Sequence, residues 1–120
     1  MTLSPNNDVI DMRVVSQLIA HKRMGLSAFE RLIPVFMEEA QMLIDQMRCA
    51  VTASDGEGLR LTAHKLKGSA SVIGSLEIRA LSQEVMSMTD VGNRPTVDFL
   101  IKMEQALRRF NDAACEIVQK

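Results

Sequence analysis

Between Ser27 and Ala53 the apolar residues Phe29, Ile33, Phe36, Ala40, Leu43, Met47 and Ala50 recur at alternating spacings of four and three, which lays them along one narrow helical seam. The same rhythm returns from about Thr96 to Val118 in Leu100, Met103, Leu107, Phe110, Ala114 and Ile117. Two long helices, each buried along one stripe, are therefore predicted. Pro34 falls inside the first of them, where a missing N–H and a ring clash disturb the helix. The seam crosses Pro34 without changing phase, which predicts a kink rather than a later start.

Shorter elements fill the remaining chain. A first helix is predicted from about Val9 to Met24, with Val14 and Leu18 inward, Ile10 and His21 as further candidates, and Gly25 as its stop. Ser54 and Glu57 have the spacing of a capping box, so a third helix should run from Asp55 to about Ile73. Gly74 breaks it. Ser75 is placed to cap a fourth helix, Leu76 to about Met88, with Ile78, Leu81, Val85 and Met88 inward. Thr89 to Pro95 reads as a loop, and residues 1–8, rich in turn formers, read as a flexible or capping lead-in. The expected fold is all-α: an antiparallel four-helix bundle with an additional short N-terminal helix over one end, as a single domain over residues 9–120.

Composition agrees with helices. The chain has 120 residues, enough for one core, and is 47% hydrophobic but only 3% aromatic, whereas strands favour aromatic and β-branched residues. Its nine Met residues are expected mostly on the apolar seams. A net charge of −1 makes no case for nucleic acid or an anionic membrane as partner. No apolar run approaches the roughly 20 residues of a membrane span, and the polar start does not resemble a signal peptide, so a cytoplasmic location is expected. Cys49 and Cys115 stand alone on helical patterns and are expected to be buried thiols. His21, with Lys22 and Arg23, reads as a cationic helix end. The two histidines lack carboxylates at ligand spacing, so no metal site is expected.

The third helix carries the candidate chemistry. At about 100° per residue, Arg60, His64, Lys67, Gly68 and Ser71 share one polar stripe, while Leu59, Thr62, Ala63, Leu66, Ala70 and Ile73 lie opposite. His64 should face solvent, with a lysine one turn on and a glycine beside it that removes side-chain bulk. From Leu59 to Leu76 there are cations at Arg60, Lys65 and Lys67 and no carboxylate, a setting that favours an acidic or phosphorylated partner. A neutral imidazole offers a ring nitrogen as nucleophile. The chain has no Gly-rich phosphate loop with its lysine and no paired Asp for Mg²⁺, so it is not expected to bind ATP or phosphorylate itself.

His64, Lys67, Gly68 and Ser69, followed by Gly74, Leu81 and Val85, resemble the signature of the histidine-containing phosphotransfer (HPt) domain of two-component phosphorelays, and the order and lengths of the helices extend the resemblance from about Val9 to Val118. The resemblance implies that the chain is a phosphocarrier rather than an enzyme. His64 is then the phosphoacceptor and Lys67 the phosphoryl contact, with Arg60, Lys65, Gly68, Ser69 and Ser71 on the docking face. The implied partner is the receiver domain of a response regulator or hybrid sensor histidine kinase, which brings its own phospho-accepting Asp and Mg²⁺; the chain itself needs no cofactor and is expected to be monomeric. Similar domains use a Gln or Glu about 22 residues after the histidine to hold its inner ring nitrogen. Here that position is Met86, a poor hydrogen-bonding group, and Gln83, one turn earlier, is the nearest replacement. An alternative follows from Met86: a phosphorylation-independent helical module that binds and inhibits a receiver or kinase.

Overall fold

Ser27 opens the longest helix. Its hydroxyl accepts from the Glu30 N–H at 3.1 Å and the Glu30 carboxylate accepts from the Ser27 N–H at 3.3 Å, a reciprocal cap. The computed structural model describes residues 9–119; the lead-in expected over residues 1–8 lies outside the described residues. Among the described residues five long α-helices follow one another: α1 (Met12–Ala20), α2 (Ala28–Thr52), α3 (Gly56–Ile73), α4 (Leu76–Asp90) and α5 (Val97–Val118), with two short strands, β1 (Lys22–Arg23) and β2 (Leu26–Ser27), between α1 and α2. The described residues are all-α apart from that hairpin and one isolated bridge. No helix among the described residues is long and apolar enough to cross a membrane.

The hairpin corrects the sequence expectation. The first helix stops at Ala20, not Met24, and His21 to Ser27 turn back on themselves, with Lys22 opposite Ser27 and Arg23 opposite Leu26. Met24 (φ 55°) and Gly25 (φ 83°) are both left-handed, as a two-residue hairpin loop matching the strand twist requires. His21, expected along the inner side, is exposed instead. Val15 is the fully buried residue of α1, with Val14 and Leu18 half-buried beside it.

The second correction concerns the start of α3. Asp55, not Ser54, is its cap, accepting from the Gly58 N–H at 2.9 Å. Ser54 is displaced from that role by its left-handed backbone (φ 56°), and its hydroxyl accepts instead from Arg94. Gly58 allows this arrangement, because a Cβ there would lie 2.2 Å from Asp55 Oδ2. At the other end Gly74 (φ 83°) closes α3, its N–H bonded to the Ala70 carbonyl. Ser75 stands at the N-cap of α4 as expected, yet its buried hydroxyl makes no cap bond.

Helix α2 packs on α3, α3 on α4, α4 on α5 and α5 back on α2, and α1 lies against α2 and α3. The core inside that circuit contains every residue of the two predicted long seams except Ala50 and Ile117, which are half-buried. Phe110 of α5 meets Phe36 edge-on at 5.2 Å and Phe29 at 6.5 Å, a geometry favoured by the ring quadrupoles. Pro34 lies within the continuous α2 rather than delaying its start. Asp11 and Ile10 tie α1 to the α3–α4 junction: the Asp11 N–H donates to the Gly74 carbonyl at 2.8 Å, and Ile10 bridges Ser75. Two expectations on sulfur fail. Cys49 is exposed, and of the nine Met only Met47, Met86 and Met103 are buried among the described residues, Met24 and Met42 being exposed.

Candidate functional site

The inner stripe of α3, Leu59, Ala63, Leu66, Ala70 and Ile73, is buried, and burying it turns the opposite stripe outward. His64, Arg60, Lys65, Gly68 and Ser71 are all exposed, and Lys67 is half-buried. His64 therefore stands on an open ridge. Its ring is exposed and has no hydrogen-bond partner among the described residues.

A cleft lies on either side of this ridge. Toward α2, a groove of about 610 Å³ is lined by Glu39, Met42, Gln46, Lys65, Gly68 and Val72. Toward α4, a smaller cleft of about 340 Å³ is lined by Lys67, Leu76, Arg79, Ala80 and Gln83. The cations are thus divided, Lys65 on one flank and Lys67 with Arg79 on the other.

Each expected site residue has a definite environment. Lys67 Nζ donates to Gln83 Oε1 at 2.7 Å, and Gln83 Nε2 donates to Ser87 Oγ at 3.3 Å. Gln83 therefore bonds the lysine, and no hydrogen bond joins it to His64. Met86 is buried against the core. Arg60 Nε is paired with Asp90 Oδ1 at 2.9 Å. Ser71 Oγ back-bonds the Lys67 carbonyl at 2.9 Å. Ser69 turns aside from the ridge toward α2, where it donates a short hydrogen bond to Glu39. A Cβ on Gly68 would meet nothing within 4 Å; the protein's own packing does not require a glycine at this position.

The sequence reading missed four side chains that border the ridge. Leu61 is 52% exposed, Val72 64% and Met42 52%, so the ridge is bordered by apolar as well as basic side chains. The helical wheel carried that signal, since Leu61 and Val72 fall about 60° and 80° from the His64 direction. Arg79 was missed because it belongs to another helix. Among the described residues no His, Cys, Asp and Glu side chains form a group of three or more able to hold a metal.

An exposed imidazole beside a lysine can form a covalent bond to phosphorus and hold its oxygens with a charge-assisted contact. A search of curated proteins returns no significant match. A family model, the Hpt domain, matches residues 31–114, which include all of α3 and α4 and most of α2 and α5. Its span exceeds half of the chain and contains the whole ridge around His64, so this protein belongs to the Hpt domain family, whose members act in histidine phosphotransfer within phosphorelays.

Proposed function

We propose that His64 accepts a phosphoryl group from the aspartyl phosphate of one receiver domain and donates it to the aspartate of another. The observation that carries this reading is the ridge itself: an unpartnered, exposed imidazole with Lys67 one turn away and Gly68 clear of any side chain. A lone pair on the His64 ring forms the N–P bond as the acyl phosphate P–O bond breaks and the carboxylate leaves with its electron pair. The reverse step regenerates the aspartyl phosphate. Charge on the phosphoryl oxygens must be neutralised during transfer; Lys67 supplies one cation, and the receiver supplies Mg²⁺.

In this reading the chain is a phosphocarrier without a nucleotide site, working as a cytoplasmic monomer. Residues 9–120 act as one domain, an antiparallel four-helix bundle formed by α2 to α5 with α1 over one end, in keeping with the circuit of helix contacts. Arg60, Lys65, Gly68 and Ser71 form the receiver-facing surface, and Ser69 supports it through Glu39 on α2.

Incubation with a phosphorylated receiver, Mg²⁺ and labelled phosphate tests the proposal. Acid-labile label on the wild type and none on His64→Gln is the expected result. A second reading, a module that binds a receiver without accepting phosphate, is favoured by buried Met86 at the position that orients the ring in similar domains. Binding without label would establish that reading instead.

A further inference from the structure

Among the described residues two side-chain links join α3 to α4, Arg60 to Asp90 and Lys67 to Gln83, and the second involves a residue of the proposed phosphoryl site. Gln83 has two competing ways to point its amide. Its Nε2 is committed to Ser87 Oγ at 3.3 Å, one turn along α4, which leaves Oε1 facing α3, 2.7 Å from Lys67 Nζ. Ser87, Gln83 and Lys67 therefore form a relay of fixed polarity, amide nitrogen to hydroxyl and ammonium to amide oxygen. The bond between Lys67 and Gln83 is exposed at the mouth of the α3–α4 cleft.

A lysine side chain is flexible, with many rotamers open to it. An unheld ammonium beside His64 would spend much of its time in solvent. The Gln83 oxygen takes one of its three protons and leaves two donors free. Because the amide is neutral, it anchors the ammonium without cancelling its charge, as a carboxylate in the same place would do. Arg79, on the same face of α4 one turn before Gln83, keeps that cleft cationic and makes no ion pair among the described residues.

We infer that Gln83 is a positioning residue for phosphoryl transfer: it holds the Lys67 ammonium beside His64, so that the cation is in place before the phosphoryl group arrives. The inference rests on the carrier reading and assigns Gln83 to the lysine rather than to the imidazole.

Phosphoramidate is a suitable probe, because it supplies a phosphoryl group without a docking surface. The His64 lone pair forms the new N–P bond, the donor's N–P bond breaks, and ammonia leaves with the electron pair. Phosphohistidine formation, followed by ³¹P NMR, is compared in the wild type, Gln83→Ala, Lys67→Ala and the double variant. Gln83→Ala is expected to slow labelling roughly three- to ten-fold, the scale of one solvent-exposed hydrogen bond of ordinary net strength, and to have no further effect once Lys67 is Ala. Gln83→Glu should also slow labelling, since it keeps the anchor but neutralises the ammonium. A ¹H–¹⁵N correlation of the Lys67 ammonium should be visible in the wild type and lost in Gln83→Ala, a signature that a merely structural role would not move.

Equal rates for wild type and Gln83→Ala overturn the inference, as does the same fold-loss in the Lys67→Ala background, which would mean that Gln83 acts without the lysine. A wild type that takes no phosphoryl group onto His64 from phosphoramidate or from a phosphorylated receiver overturns the carrier reading, and the inference with it. A labelled wild type with an additive cycle overturns the inference alone.

Discussion

Arg60 Nε lies 2.9 Å from Asp90 Oδ1, so the cation one turn before His64 is partly neutralised by the end of α4. Both side chains are about half exposed, and such a pair contributes at most about 1 kcal/mol to stability. Its larger effect is on the field that an acidic partner meets. Arg60→Ala should lower the association rate with a receiver less than Lys65→Ala does, and Asp90→Asn, which unmasks Arg60, should raise it. Stopped-flow association at two ionic strengths checks the order. Equal losses for Arg60→Ala and Lys65→Ala would show that the ion pair does not mask the arginine.

Gly68 and Gly74 should respond oppositely to alanine. At position 68 a Cβ meets nothing within 4 Å, and Gly→Ala within a helix is worth up to about 1 kcal/mol. Gly68→Ala should therefore raise the melting temperature, and Gly68→Gln should fold at least as well as the wild type while obstructing receiver docking. Thermal melts and transfer rates together test the pair of statements. A Gly68→Gln chain that transfers at the wild-type rate would remove the docking role.

At position 74 the backbone is left-handed, and a Cβ would lie 3.1 Å from the Asp11 carbonyl oxygen and 3.3 Å from Val15 Cγ2. The left-handed conformation alone costs a non-glycine residue about 1–2 kcal/mol. Gly74→Ala should lower the melting temperature by several degrees and loosen α1, because the Gly74 carbonyl also receives the Asp11 N–H. Hydrogen exchange should show Val14 and Val15 losing protection ahead of Leu43 and Leu66.

Ser82 is wholly buried on the inner side of α4, and its hydroxyl has no hydrogen-bond partner among the described residues. A buried hydroxyl left unpaired costs about 1–3 kcal/mol, and alanine is also the better helix former. Ser82→Ala should stabilise the fold by about 1 kcal/mol without changing transfer. Chemical denaturation with an unchanged m-value is the check; a loss of stability would mean that the hydroxyl is satisfied in solution.

The helices were legible in the sequence wherever burial follows a single stripe, as from Phe29 to Met47 and from Leu100 to Ala114. They were less legible where the backbone departs from its usual conformations. Gly25 reads equally well as a helix stop or as half of a hairpin loop, and Met24 gives no hint that it will adopt a positive φ. Ser54 fails as a cap for the same reason. The ridge around His64 was readable because all its members lie on one helix. Lys67–Gln83, Arg60–Asp90 and Ser69–Glu39 join different helices, and helical periodicity says nothing about the angular setting of one helix against another. Cys49 was misjudged because a small thiol fits an outer face as readily as an inner one.

The open space beside Gly68 makes that position a place where fit to a partner can be altered without disturbing the fold. Substituting larger side chains there raises a bump on the ridge, and a receiver carved with a matching hollow would accept the bumped chain. Such a pair would exchange phosphate as a private channel, insulated from the native traffic, with discrimination resting on shape at a single residue rather than on a rebuilt interface.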